Sequence, residues 1–92
     1  METFEIAHIN EQRTDLIIVF VAARAASLSS ADMDAFVTAL TICARSARLA
    51  GHVVPVWPGG FFAPPNVHTF FESAPYALLA QRVNKKLQCK NL

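Results

Sequence analysis

Charge is what this sequence has least of. Asp, Glu, Lys and Arg make up 16% of its 92 residues and nearly cancel, leaving a formal net charge of +1. Ordinary soluble domains carry about 25% charged residues. So balanced a chain has no global electrostatic claim on nucleic acid or on an anionic membrane surface, and neither is an expected partner. Long apolar runs are missing too. The longest, Leu16 to Ala23, falls far short of the roughly 20 residues a membrane-spanning helix needs. The acidic start, Met1-Glu2-Thr3-Phe4-Glu5, is followed by no apolar stretch of the kind that marks export. The expected location is therefore cytoplasmic.

Cysteine is scarce. Only Cys43 and Cys89 occur, and no two histidines share a helical metal-binding spacing, so no metal or cofactor is expected. In a reducing compartment the two cysteines are expected as free thiols rather than a disulfide. Cys43 falls on an apolar helical face. Cys89 sits among Lys85, Lys86 and Lys90, where a thiolate is favoured, although a thiol near a chain end is more often incidental. Catalytic motifs are also absent: there is no G-x-S-x-G, P-loop, G-x-G-x-x-G or H-E-x-x-H. Ser29 and Ser30 are placed for helix capping. Asp32 and Asp34, two apart on a helix, point in different directions. No residue is assigned a catalytic role, and the expectation leans away from an enzyme.

What the chain does have is apolar residues, 53% of the total. That excludes disorder, and the length suits one domain over 1–92. A chain this small leaves much of its surface exposed, so part of the apolar excess is expected to face a partner.

Phe4 to Ile9 alternates, with Phe4, Ile6 and His8 on one side and Glu5, Ala7 and Ile9 on the other. Leu16 to Val21 (LIIVFV) is a β-branched, unalternating run, which predicts a strand covered on both faces, or on one face plus an interface. The polar stretch Asn10–Asp15 between them is expected as the loop of a hairpin. The alternative is a short N-terminal helix with Ile6, Ile9 and Arg13 on one face. Ser29 followed three residues later by Asp32 resembles a capping box. Met33, Phe36, Val37, Leu40, Cys43, Ala44 and Ala47 then form one helical stripe, and Gly51 is expected to end it.

His52–Trp57 is a second extended stretch, Pro58-Gly59-Gly60 a turn, and Phe61–Ala63 a short returning strand. Pro55 limits that strand to an edge or to one-sided pairing. Asn66 is expected to cap a helical turn through Phe71. Ser73 is expected to cap a last helix with Tyr76, Leu79, Ala80, Val83 and Leu87 as its stripe. The fold class expected is α+β: a two-layer sandwich in ββαββα order, a mostly antiparallel sheet with two amphipathic helices on one face.

One region stands apart. From Leu49 to Phe71 there is no Asp, Glu, Lys or Arg, and residues 57–76 hold six of the nine aromatics and four of the five prolines. Prolines and glycines keep much of it out of regular structure, where rings are harder to bury. Trp57, Phe61, Phe62 and Phe70 are the candidate interaction surface, through which the chain would form a homodimer or bind another protein. The competing view is that these rings make a second small core. His68, beside them, is the candidate ligand contact, and a pocket near Trp57, Phe62 and His68 is the alternative function. A third possibility is nucleic-acid binding through a basic C-terminal helix bearing Arg82, Lys85, Lys86 and Lys90. Dipole compensation at a helix end accounts for those charges more simply.

Overall fold

The computed structural model describes residues 2–11 and 13–90. Five strands form one mixed sheet: β1 (Glu2–Glu11), β2 (Thr14–Phe20), β3 (His52–Trp57), β4 (Gly60–Phe61) and β5 (Lys85–Cys89). They lie in the order β4-β3-β2-β1-β5. Three pairings are antiparallel, and β2 with β3 is parallel. A parallel neighbour needs a long crossover, which the helix α1 (Ser30–Ser46) supplies. The α+β class stands, but the element order does not follow ββαββα.

The hairpin forms, and its strands run further than expected. Asn10 pairs with Asp15 and Glu11 with Thr14, and Asn10 Nδ2 donates to Asp15 Oδ1 at 2.8 Å. The expected loop shrinks to a tight turn in which Arg13 has φ 67°; Gln12 lies outside the described residues. In β2, Leu16, Ile17, Ile18 and Val19 are all buried, because the sheet is covered on both faces. Ile17 and Val19 join Phe4, Ile6, Val53, Leu87 and Cys89 beneath α1. Leu16 and Ile18 join Ala7, Val54 and Val56 beneath the segment 63–79. The expected two-layer sandwich is thus corrected to three layers, with helices on opposite faces. The apolar excess has a physical home: a two-faced sheet needs two cores, each fully buried aliphatic side chain contributing about 1.5–3 kcal/mol.

Helix α1 starts as its sequence dictates, with the Ser29 hydroxyl accepting from Asp32 N at 3.1 Å. Met33, Leu40 and Ala44 are its buried stripe. Its end differs. Arg48, not Gly51, takes the left-handed position, at φ 63°, with Leu49 N donating to Ala44 O and Arg48 N to Arg45 O. That is the Schellman arrangement. Gly51 serves another need: its φ is 138°, and a Cβ there would lie 2.7 Å from Asp15 O.

The largest correction concerns the C-terminus. The last helix, α3 (Tyr76–Ala80), has five residues, and the expected continuation through Leu87 is instead strand β5. Asn84 makes the switch: its N donates to Ile6 O, its Nδ2 to His8 O, and its Oδ1 accepts from His8 N. The side chain thereby extends the β1 ladder. Leu87 suits a helical stripe and a strand alternation equally. Pairing with the open edge of β1 satisfies backbone groups that a short helix of marginal stability would leave unpaired. Strand β5 also brings Cys89 to Cys43, with Cα atoms 5.4 Å apart in a disulfide. The expectation of two free thiols is overturned. Both residues lie at the α1 core, where sequence separation hid their proximity.

Candidate functional site

The segment after β3 is assembled from short pieces. Pro55 O accepts from Phe62 N, so its imide nitrogen faces the same short outer edge, the one-sided pairing that proline requires. Gly59, at φ 95°, makes the turn. Gly60 is needed for space, because a Cβ on it would lie 2.6 Å from Trp57 Nε1 and 2.9 Å from Cε2. The indole edge therefore rests on Gly60. Pro64 then opens a 3-10 turn over Pro65–Val67, with Val67 N donating to Pro64 O. The short helix α2 (His68–Ser73) follows without a side-chain cap, so Asn66 does not have the capping role expected of it. Ser73 does not cap α3 either: its hydroxyl donates back to Thr69 O and Phe70 O. Pro75 occupies the cap position of α3 instead.

These pieces cover Val54 and Val56 with Ala63, Val67, Phe71 and Leu79. They do not cover the carboxyl end of β3 completely. A depression of about 250 Å³ remains there, with buried Val56, Phe71 and Leu79 in its lining and Trp57, Gly60, Phe61 and Tyr76 around them. Glu72 is the one charged residue of the lining. The rings support one another: Phe61 lies 5.5 Å from Phe71 at 31°, Phe70 meets Phe71 edge-on at 5.0 Å, and Tyr76 meets Phe20 edge-on at 5.7 Å. Such pairs add about 0.5–1.5 kcal/mol beyond their burial. They hold the walls without any long regular element.

The candidate surface residues divide. Trp57 is 9% exposed and belongs to the core beneath α1, while Phe62 is 37% exposed. Phe61 and Phe70 are half-buried. Trp57 and Phe61 come together at the depression, and Phe70 lines a separate groove with Pro75, Leu78 and Arg82. Phe62 and His68 are absent from the lining of the depression. His68 stands beside it, its ring edge-on to Phe61 at 5.0 Å and its Nδ1 3.4 Å from Glu72 Oε1 in an exposed pair. Sequence reasoning missed Phe71, Tyr76 and Glu72 as site residues. A signal existed for Glu72: it is the charge that ends the long uncharged stretch.

The basic residues do not form a helical face. Arg82 Nη1 is 2.6 Å from Glu11 Oε1. Lys85 and Lys86 are successive residues of β5 and project to opposite faces, with Lys86 opposite Glu5. Lys90 is exposed in the turn beyond β5; residues 91 and 92 lie outside the described residues. The remaining histidines are peripheral, His8 Nε2 meeting Ala50 O at 3.1 Å and His52 being exposed at the start of β3. Among the described residues no three His, Cys, Asp or Glu side chains gather into a metal-binding group. No described helix is long and apolar enough to cross a membrane. No protein-family model, curated protein or solved structure matches the chain.

Proposed function

We propose that this protein is a non-catalytic binding module whose ligand seats in the aromatic depression at the carboxyl end of β3. The observation that carries this is the convergence of Phe61, Phe71 and Tyr76 on one concavity edged by Trp57. Concave apolar sites with few polar groups are the usual form of small-molecule sites. No serine or cysteine nucleophile lines this one, which supports binding over covalent catalysis. Trp57 is the only tryptophan, so the fluorescence comes from the indole at the edge of the site. Titration with a panel of small aromatic, aliphatic and charged fragments is expected to give a saturable change in Trp57 emission and in Phe61 and Tyr76 resonances. Failure of every fragment to perturb them at millimolar concentration would remove this reading.

Self-association is the second reading, favoured by exposed Phe62 and by Leu78, 56% exposed. A stable dimer buries about 800 Å² per partner. Light scattering at tens of micromolar is expected to show a dimer that Phe62→Ser with Leu78→Ser disperses, and a monomeric parent protein would exclude it. The Cys43–Cys89 bond bears on compartment: disulfides persist under oxidising conditions, and cytoplasmic residence belongs to the reduced dithiol.

A further inference from the structure

We infer that the depression accepts a quaternary or methylated ammonium head group, an inference that rests on the ligand reading above. Four aromatic residues line it, and its one charged side chain is the carboxylate of Glu72; among the described residues no lysine or arginine contributes. Aromatic faces carry partial negative charge and attract cations placed over them. An anion would meet both the ring faces and the carboxylate unfavourably. A neutral apolar ligand would use the rings and leave Glu72 unused, whereas an organic cation uses both. Quaternary ammonium is favoured over a primary one, since the latter is a compact and strongly hydrated charge.

Size agrees: about 250 Å³ lies just below the roughly 300–1,000 Å³ of sites for drug-sized ligands and suits a head group. Nearby charges do not interfere. Arg82 is paired with Glu11 and lines a different groove. The His68 contact with Glu72 is long, at 3.4 Å, and solvent-exposed, so the carboxylate keeps acceptor capacity for a ligand.

The test titrates the full chain at constant ionic strength with choline, with its neutral carbon isostere 3,3-dimethylbutan-1-ol, with free trimethyllysine, and with a peptide carrying one trimethyllysine. Trp57 emission and ring resonances are the readouts. Choline is expected to bind at least about tenfold more tightly than the isostere. Glu72→Gln is expected to weaken choline about threefold to tenfold and to leave the isostere unchanged; Glu72 is exposed, so its fold is preserved. A peptide that binds more tightly than free trimethyllysine would assign the cation to a modified protein side chain. Equal binding of the two would assign it to a free small molecule. Choline and isostere binding alike would overturn the cation inference and leave the ligand reading intact. Binding by other fragments without choline would do the same. Silence from every probe and fragment would overturn both.

Discussion

The two faces of the sheet are roofed by different means. On one, a 17-residue helix, with a 3-10 turn over Ala23–Ser27 beside it, lies over Ile6, Ile17, Val19 and Val53, capped by Ser29 and joined to the edge strand through Cys43–Cys89. On the other, a 3-10 turn and two helices of six and five residues, interrupted by prolines, cover Leu16, Ile18, Val54 and Val56. A regular helix presents an even stripe, with a depression left at its edge among Phe4, Val21, Ala25, Leu28 and Phe36. Short pieces hinge at Pro64, Ala74 and Pro75 and meet imperfectly, leaving the aromatic depression. Both faces keep a concavity, and the one under the short pieces has the more aromatic lining.

That contrast can be broken experimentally, beginning where the effect is largest. Leu40→Ala, on the buried stripe of the long helix, is expected to cost about 4 kcal/mol in urea unfolding, because little around it can collapse. Leu79→Ala on the irregular side is expected to cost about 2 kcal/mol, since short elements relax into the space. Equal or reversed costs would end the distinction between rigid and adaptable cover. Reduction of Cys43–Cys89, which closes a sequence separation of 46 residues, is expected to lower stability by about 2–4 kcal/mol. Denaturation with and without a thiol reductant measures it, and an unchanged midpoint would deny the bond a role on the regular face.

Gly60→Ala sharpens the comparison on the other side. The added methyl would press on the Trp57 indole, for an overpacking cost of about 1–3 kcal/mol. Trp57 emission should shift while far-ultraviolet circular dichroism stays constant; an unmoved emission would mean the indole does not rest there. Ser29→Ala is expected to cost about 1 kcal/mol, measurable as early exchange of the Asp32 amide. Phe62→Ser on the exposed rim should alter stability by less than about 0.5 kcal/mol, and a larger loss would place that ring in the core.

The same division governs how much was legible in advance. On the regular face the signals were local. Ser29 with Asp32 marks the start of α1, its stripe buries Met33, Leu40 and Ala44, and the unalternating β2 run pointed to cover on both faces or on one face plus an interface. The irregular face and the C-terminus depended on distant partners. Tyr76 to Leu87 satisfies a helical spacing, yet Asn84 commits the chain to the β1 edge. Trp57 and Phe61 were visible as candidates because they lie in the uncharged aromatic stretch. Phe71, Tyr76 and Glu72 join them only because α2 and α3 pack back over β3, and Phe62 and His68 stay outside the lining.

The sequence by itself determined the elements whose cause is short-range: the hairpin, the capped helix, the strand-breaking prolines and the scarcity of charge around the future site. Tertiary structure decided which residues meet. It divided the apolar excess between two faces, closed Cys43 on Cys89, turned the last apolar run into an edge strand and left the concavity beside Trp57. Caps, turns and periodicity act within a few residues. Strand pairing, disulfide proximity and the fit of one packed element against another depend on positions that become neighbours only after the chain has folded.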